Sequence, residues 1–492
     1  MQEHQGTDDP ANALRRSHSR RSAEGEIPLT EAAGTYAWRL PGVSEHTLAS
    51  PPVPLQTLPV PIDRREFLQL AGTHAGALAL RRPAAWLTRS PDVVVVGAGA
   101  FGGWTAWYLR RLGARVTLVD TWGPGNSRAT SGDETRGVRS SYGDKGHWIR
   151  WVNEAIVRWK EWDAEWSKRL RLKLFFTTGD LILRPEPEPW LTDTLRIWGE
   201  QKVPHEILTL DEVAYRYPQI SLEGMTLAAF ETNAGVVRAR RVCETVAEMF
   251  RAKGGKIELA RAEPGTRTEN RLHDVTLSNG QRLTADFFVF ACGPWMPKVL
   301  PDVMTDRLRT PLGQVFYFAT PPGDRRFVYP HMPSWNVPGV TGWAALPPDN
   351  RGFRVRTGGG RRPGAPRPTD PDASERWVPP ESVERAIEFV CQRFPALEHT
   401  PLLETRACHY ELSVSREFIV DRHPALGNVW IAGGGNAEGF KFGPVIGEYI
   451  ARRVLGKPTD PDLAERFKLP TETFDPTSSG FREDEENFGV QL

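Results

Sequence analysis

The chain has 492 residues, which is enough for two or three domains. Its 62 basic and 61 acidic residues leave a formal net charge of +1, so the composition shows no sign of a nucleic-acid-binding surface. No run of about 18 or more apolar residues is present, so no membrane-spanning helix is expected, and the four cysteines lack the spacing of a metal site or a disulfide framework.

The first 90 residues differ in composition from the rest of the chain. Residues 1–62 are rich in proline, serine, alanine and charged side chains without periodicity, which predicts a disordered extension. In residues 63–90, Arg64 and Arg65 precede a short apolar run, a pattern that resembles a twin-arginine export signal, although a lead of about 60 residues is long for one. We expect an exported, periplasmic protein if this segment is such a signal. If the two arginines only belong to an arginine-rich tail, we expect a cytoplasmic protein.

Residues 93–120, VVVVGAGAFGGWTAWYLRRLGARVTLVD, predict a strand, a helix and a second strand in succession. The four valines from Val93 to Val96 favour a strand that is buried on both faces of a parallel sheet. A helix is expected from about Phe101 to Leu112, where Gly113 ends it, and RVTLVD forms the second strand. The unit is therefore the βαβ motif from which parallel sheets are built.

Three glycines and an aspartate give this unit a nucleotide-binding pattern. Gly97, Gly99 and Gly102 have the spacing G-x-G-x-x-G, which allows a tight turn, a close approach of backbone to a pyrophosphate, and packing of the helix on the strand. Asp120, at the end of the second strand, can accept hydrogen bonds from ribose hydroxyls. The pattern predicts a bound dinucleotide but does not separate FAD from NAD. An ordinary βαβ unit with a glycine turn is the alternative.

A group of tryptophans follows at helical spacing. An apolar core face is favoured over a ligand-binding cage, because aromatic residues on one face of a helix usually pack in the interior. The tryptophans that project onto this predicted face are Trp148, Trp151, Trp159, Trp162 and Trp166.

The middle of the chain lacks the regular βα repeat of a nicotinamide dehydrogenase. Short strand patterns alternate with two helical patterns, and residues 322–375 are rich in proline, glycine and arginine. The predicted strands lie at 179–184, 256–260, 285–295, 310–321, 341–347 and 352–357, and the predicted helices at 238–255 and 380–395.

A final strand, glycine-rich loop and helix are predicted over residues 428–456. The loop Gly433, Gly434 and Gly435 allows backbone to approach a flavin ring, and a helix from about Pro444 would direct its positive end toward the ring. Nucleotide-sheet segments at both ends of the chain, with an antiparallel-looking insertion between them, favour FAD over NAD.

Two motifs carry a family resemblance in addition to the glycine loop. SGDETRGVRSSYGD (131–144) and TRACHYELSVSREFIVDRHPALGNVWIAGGGNAEGFKFGP (405–444) resemble the monomeric sarcosine oxidases, N-methyltryptophan oxidases and relatives in the D-amino-acid-oxidase superfamily. The resemblance implies an α/β fold, with a glutathione-reductase-type FAD-binding Rossmann domain and a discontinuous mixed-sheet (α+β) substrate domain. It also implies that the bound FAD accepts a hydride from an amine or amino acid, whose C–N bond becomes an imine that hydrolyses. The implied segments are 91–178, 230–309 and 405–458 for the FAD domain, 179–229 and 310–404 for the substrate domain, and a C-terminal tail at 459–492.

The resemblance also implies roles for individual residues. Arg136 matches an arginine beside the flavin ring, and Ser131 of the same motif is assigned to the cofactor site. Arg139 and Lys441 match two cations that hold the substrate carboxylate, and two fixed cations suit such a group. Lys441 is assigned to the cofactor site as well.

Two further residues of the second motif match the family. Tyr410 corresponds to an active-site tyrosine, with a core aromatic residue as the alternative. Cys408 corresponds to the cysteine that bonds covalently to the flavin 8-methyl group, with a small buried apolar residue as the alternative. We therefore expect FAD, with a thioether to Cys408 as its form of attachment.

The sequence departs from the family at two positions. GFRVRT places Arg354, or Arg356 if the alignment slips, where the oxidases have a lysine that promotes reaction of the reduced flavin with oxygen. An arginine retains the positive charge but does not readily release a proton, so the acceptor is either oxygen or another molecule, such as a quinone or a protein. Gly132 replaces a family histidine, which indicates a different substrate fit.

The predicted protein is an FAD-dependent oxidoreductase that acts as a monomer on a small amine or amino acid. Three alternatives remain open at this point. They are a flavin dehydrogenase that passes electrons to an acceptor other than oxygen, a non-catalytic flavin-binding subunit of a complex, and an NAD-dependent dehydrogenase.

Overall fold

The computed structural model describes residues 89–348, 351–357 and 370–475. The predicted extension at 1–62 and the twin-arginine-like segment up to residue 88 lie outside the described residues. Within the described ranges, no helix is both long and apolar enough to cross a membrane.

The described residues form strands and helices that alternate along the chain. In chain order the strands are β1 (Asp92–Val96), β2 (Arg115–Asp120), β3 (Arg136–Val138), β4 (Phe175–Thr177), β5 (Asp180–Arg184), β6 (His205–Leu208), β7 (Leu227–Glu231), β8 (Gly235–Val237), β9 (Lys256–Leu259), β10 (Ala262–Pro264), β11 (Arg267–Thr268), β12 (Arg271–Leu272), β13 (Asp274–Leu277), β14 (Arg282–Thr284), β15 (Phe287–Phe290), β16 (Leu308–Arg309), β17 (Leu312–Phe318), β18 (Ser334–Val337), β19 (Val340–Trp343), β20 (Phe353–Thr357), β21 (Leu402–His409), β22 (Leu412–Ser413), β23 (Ile419–Arg422) and β24 (Val429–Gly433). The helices are α1 (Ala100–Arg111), α2 (Gly146–Leu170), α3 (Pro189–Glu200), α4 (Leu210–Arg216), α5 (Ala239–Ala252), α6 (Met296–Val299), α7 (Pro301–Met304), α8 (Pro380–Arg393), α9 (Gly443–Val454) and α10 (Pro461–Arg466).

The first sheet joins the two ends of the described chain. Its strand order is β23-β24-β15-β1-β2-β9, and every neighbouring pair is parallel except β23 with β24. All four predicted valines of β1 are buried, as expected for a central parallel strand. Helices α1 and α9 pack closely at Gly447. A Cβ at this position would lie only 2.4 Å from Trp104 Cβ. The predicted Rossmann-type sheet, with its last strand from the C-terminal motif, is therefore confirmed.

The second sheet has eight strands in the order β21-β17-β20-β19-β18-β5-β7-β6. Strands β5 and β18 pair in parallel, whereas the other neighbours are antiparallel, so the sheet is mixed as predicted. Its core is aromatic and includes Trp335, Phe353 and Phe394, which are buried. The predicted α/β fold with a discontinuous mixed-sheet domain is thus confirmed.

Some expected segment boundaries differ from the structure. The boundary at 229/230 cuts through β7 (Leu227–Glu231), and the boundary at 404/405 cuts through β21 (Leu402–His409), although both strands belong entirely to the mixed sheet. Sequence patterns placed these boundaries at motif edges, whereas the hydrogen-bonded pairing of β21 with β17 continues to His409. The substrate sheet therefore includes Cys408.

The expected tail at 459–492 is also wrong in its first part. Helix α10 lies within it, and Phe467 is fully buried in the core that surrounds α9. The backbone N–H of Val420 donates to Phe467 O at 2.8 Å, and that of Leu469 donates to Asp421 Oδ2 at 3.0 Å. Residues 459–475 therefore pack as part of the FAD-domain core.

Helix α2 carries the predicted tryptophan face, and every one of its five tryptophans is buried. Trp104 of α1 lies among them, with its ring centroid 5.6 Å from Trp159 and 5.8 Å from Trp166. The interpretation as a core face is confirmed. Trp159 also donates from Nε1 to Lys441 O at 2.8 Å, so this core fixes the backbone of a predicted site residue.

Candidate active site

The glycine loop between β1 and α1 approaches neighbouring backbone too closely for side chains. Gly97 has a φ of +103°, and a Cβ there would lie 2.2 Å from Ala291 O. A Cβ at Gly102 would lie 1.8 Å from Gly97 O. The first turn of α1 has no acidic side chain, so its positive end stays available to an anion. This geometry is what a pyrophosphate requires.

Two polar residues hold the loop in place. Asp120 Oδ2 accepts from Ala98 N at 2.8 Å, while Oδ1 accepts from Trp122 N at 2.9 Å and Gly123 N at 2.8 Å. Burial raises the pKa of Asp120, although these backbone N–H groups oppose the shift. Ser131 Oγ accepts from Ala100 N at 3.0 Å. Each residue thus positions the loop.

A long cleft runs from the glycine loop to the C-terminal motif, and we call it the glycine-loop cleft. It holds about 1360 Å³ of space not filled by protein atoms, open solvent included. The predicted cofactor residues that line it are Gly97, Gly99, Asp120, Ser131, Arg136 and Gly435. Gly102, Gly433 and Gly434 are not among its lining residues in the described part of the chain.

Glu411 binds backbone N–H groups of the glycine triplet at the far end of this cleft. Its carboxylate accepts from Gly434 N at 3.3 Å and Gly435 N at 3.1 Å. Burial raises the pKa of Glu411 to about 7, although these two N–H groups oppose the shift. The amides that were expected to face a flavin ring are therefore held by a carboxylate that the sequence did not single out.

A second cavity, here called the inner cavity, lies against the end of the glycine-loop cleft. It holds about 660 Å³ of space not filled by protein atoms, open solvent included. It collects the predicted catalytic residues from strands, loops and a 3₁₀ turn that are distant in sequence, and shares Thr130, Arg136, Ala437 and Phe440 with the cleft. The predicted site residues that line it are Arg136, Arg139, Arg354, Cys408, Tyr410 and Lys441.

A buried Asp133 pairs with two of the predicted arginines. Arg354 Nη2 donates to Asp133 Oδ2 at 3.1 Å, and Arg136 Nη1 forms an ion pair with the same oxygen. Burial opposes ionisation of Asp133, but Arg136 and Arg354 hold its pKa well below the usual range. The Arg354 guanidinium also stacks 4.0 Å over the Trp343 ring. Arg354 therefore shares the single carboxylate of Asp133 with Arg136 and Arg406.

Arg139 and Lys441 converge as predicted, but the anion between them belongs to the chain. Lys441 Nζ contacts both Glu438 and the Tyr142 hydroxyl. Arg139 Nη2 lies 3.9 Å from Glu438 Oε1, and Tyr142 OH donates to Glu438 Oε2 at 2.9 Å. Glu438 contacts the Lys441 ammonium in this arrangement, and the role of Lys441 in holding a substrate carboxylate stays a prediction.

The protonation of this group follows from its burial and charges. Burial opposes ionisation of Glu438, but Lys441 and Arg139 lower its pKa to about 2. Burial lowers the pKa of Lys441 to about 8, although Glu438 opposes that shift. The pair is therefore ionised at neutral pH.

The end of β21 brings two further predicted residues to the inner cavity. Cys408 Sγ lies 3.9 Å from Arg136 Nη2, and Tyr410 packs over Gly313. All four cysteines are unpaired. Cys408 lines the inner cavity beside Arg136, a residue that both cavities share, and its covalent attachment to the flavin remains a prediction.

The sequence interpretation missed Asp133, Glu411 and Glu438, and it named Arg356 only as the alternative to Arg354. The Arg356 guanidinium lines the inner cavity and makes no hydrogen bond or ion pair within the described ranges. One local signal was available, because Glu438 and Lys441 have the i,i+3 spacing at which helical side chains meet. Asp133 likewise lies three residues before its partner Arg136, whereas Glu411 gave no local signal, since its partners Gly434 and Gly435 come from a distant segment.

Comparison with known proteins places the chain in a family. The family model described as FAD dependent oxidoreductase (DAO) matches residues 92–453. The chain belongs to this family. It is 27% identical over 388 residues to monomeric sarcosine oxidase from Bacillus sp. (strain B-0618), a match that covers 76% of this chain and 94% of the relative. It is 25% identical over 382 residues to N-methyl-L-tryptophan oxidase from Salmonella arizonae, which covers 77% and 98%.

The fold has solved counterparts among oxidases and dehydrogenases. L-proline dehydrogenase from P. horikoshii superposes with a TM-score of 0.65 at 18% identity, over 78% of this chain and 100% of that chain. The predicted family and cofactor are confirmed, and the protein is an FAD-dependent oxidoreductase.

The site itself fits FAD. Gly97 and Gly99 line the cleft beside the N-terminal end of α1, whose first turn has no acidic side chain, and Arg354 has buried Nε and Nη1 groups without a hydrogen-bond partner among the described residues.

Proposed function

We propose that this protein oxidises the C–N bond of a small amine within the inner cavity. FAD supplies the chemistry by accepting a hydride equivalent, and the resulting imine hydrolyses in water. The observation that carries the proposal is the continuity of the glycine-loop cleft with the inner cavity, which share Thr130, Arg136, Ala437 and Phe440. A dinucleotide in the cleft therefore has one end open to a cavity of substrate size.

The residues of the chain bind and orient the amine. Tyr410 and the Lys441–Glu438–Tyr142 group present polar atoms to the inner cavity. Phe440 and Trp343 supply apolar walls that limit access of water to the reacting carbon. Holding the amine in one orientation supplies much of the rate.

The test is anaerobic mixing of the purified holoenzyme with a panel of amines and amino acids, following flavin absorbance. We expect bleaching by at least one member, with one carbonyl product released per flavin reduced. Lys441→Met is expected to slow bleaching by about tenfold or more, since it leaves Glu438 without its partner. Lys457→Met is the matched control, because Lys457 is exposed. If no amine bleaches the holoenzyme, the result would support the alternative that the protein is a non-catalytic flavin-binding subunit.

We further propose that the electron acceptor is not oxygen. The resemblance aligns Arg354, or Arg356 if the alignment slips, with an oxygen-activating lysine of the oxidases. The Arg354 guanidinium pairs with Asp133 at 3.1 Å and stacks on the Trp343 ring. An arginine in this pairing does not release a proton readily. A quinone or a protein partner is therefore the expected acceptor.

Reoxidation kinetics test this choice of acceptor. Enzyme reduced by an amine is mixed with air-saturated buffer or with a soluble quinone, and we expect the quinone to react about tenfold faster at equal concentration. Arg354→Lys should raise the oxygen rate by about fivefold, whereas Arg354→Met should not, because only lysine supplies a transferable proton. Fast reaction of the wild-type enzyme with oxygen would identify it as an oxidase.

Export of the protein stays a proposal that rests on Arg64 and Arg65. Replacing both arginines by lysine should leave the protein in the cytoplasm if the segment acts as a twin-arginine signal. A cell fractionation in which the wild-type protein is itself cytoplasmic would contradict the proposal. The monomeric state is likewise a proposal, and size-exclusion chromatography with light scattering tests it.

A further inference from the structure

The inner cavity contains a carboxylate of the chain where two cations meet. Glu438 contacts Lys441 directly, lies 3.9 Å from Arg139 and accepts a hydrogen bond of 2.9 Å from Tyr142. All three partners come from segments that line or back the inner cavity. Glu438 is therefore held on three sides and does not extend into solvent.

Carboxylates of the chain compensate Arg139 and Lys441 locally. Glu438 and Lys441 are only 8% and 3% exposed, so water screens them little. Asp180, which is buried, acts electrostatically on both Arg139 and Lys441, although burial raises its own pKa. Arg136, Arg354 and Arg356 also line the inner cavity, so the compensation is confined to the position between Arg139 and Lys441.

A substrate carboxylate bound by Arg139 and Lys441 would have to lie beside Glu438. Like charges at close range in a poorly screened cavity repel each other, whereas an amine N–H can donate to the Glu438 oxygens. The arrangement therefore opposes the substrate group that Arg139 and Lys441 would otherwise attract.

We infer that Glu438 occupies the position of a substrate carboxylate, so that the cavity selects amines that carry no carboxylate. The inference rests on the proposed amine oxidation and names its substrate class. It makes Glu438 a specificity-determining residue, because its charge excludes one class of substrate and favours another.

The test compares amines in pairs that differ by one carboxylate. The anaerobic holoenzyme is titrated with pyrrolidine and proline, and with N-methylethylamine and N-methylalanine, and the concentration for half-maximal flavin bleaching is measured. We expect the wild-type enzyme to need about tenfold less of the carboxylate-free member of each pair. Preference for the carboxylated members would overturn the inference.

Glu438→Gln should reverse this selection. The variant leaves Arg139 and Lys441 with an unbalanced charge, so carboxylated members should bleach the flavin at about tenfold lower concentration than in the wild type. Glu448→Gln is the matched control, since Glu448 pairs with arginines on the surface side of α9. If E438Q does not fold, the wild-type comparison still decides the inference.

Acetate binding separates failure of the inference from failure of the proposed function. If no amine bleaches either enzyme, the proposed oxidation fails. Acetate should nevertheless perturb the flavin spectrum of E438Q at about tenfold lower concentration than that of the wild type. The inference would be overturned if the wild type and E438Q required the same acetate concentration for the spectral change. It would also be overturned if acetate binding were lost only in Arg356→Met, because the anion would then bind at Arg356.

Discussion

Replacing Gly102 by alanine tests whether the glycine loop is built for a pyrophosphate. The added Cβ would begin 1.8 Å from Gly97 O, a backbone atom, and ordinary contact requires at least 3.4 Å. Helix α1 and the loop must therefore move apart. Overpacking of this kind costs about 1–3 kcal/mol or more, against about 1 kcal/mol gained from alanine in a helix.

Gly103→Ala is the matched control, one residue further along the same helix. Its Cβ would lie 3.6 Å from Ala98 O, which is ordinary contact, so this variant should be neutral or stabilised by up to about 1 kcal/mol. Urea unfolding and FAD titration measure both effects. We expect Gly102→Ala to lower the free energy of unfolding by about 2 kcal/mol and to weaken FAD binding by about tenfold or more. Equal behaviour of the two variants would refute the close approach of helix and loop.

Two further predictions concern the far end of the cleft. Acid precipitation should leave flavin attached to the wild-type chain and to Cys391→Ser but release it from Cys408→Ser, and release from all three would exclude the thioether. Burial raises the pKa of Glu411 from 4.5 to about 7, so the stabilising contribution of its neutral form is complete below pH 4.5 and is lost as the pH rises through 7. In the FAD-free Cys408→Ser protein, Glu411→Gln should remove about 3 kcal/mol of this pH dependence, as measured by urea unfolding at pH 4.5 and pH 8. An unchanged difference between the two pH values would contradict the burial of an ionisable Glu411.

Local patterns predicted the parts of the fold that local physics determines. The valine run, the glycine spacing and the tryptophan face each follow from the geometry of one strand, turn or helix, and the structure contains them. The boundaries at β7 and β21 were less predictable, because strand ends depend on pairing with partners far along the chain.

The sequence predicted the cationic residues of the site but not its anionic residues. Arg136, Arg139 and Lys441 lie in motifs that the family resemblance identified, and all three line the inner cavity. The pairing of Asp133 with Arg354 was not recognised because the two residues are 221 positions apart, and Glu411 binds the backbone of a loop that follows a strand of the other sheet. These contacts exist only after the two sheets have assembled.

The paired charges of the inner cavity are better explained by selectivity than by stability. Removing two ions from water is costly, and apolar residues of similar size often stabilise a buried site at least as well as an ion pair does. Asp133 with Arg354 and Glu438 with Lys441 are nevertheless kept beside the space where the substrate reacts. Each pair places a carboxylate beside a cation to which the sequence resemblance assigns a role toward substrate or oxygen. Under the two proposals made above, the same reaction chemistry is combined with a different acceptor and a different substrate charge.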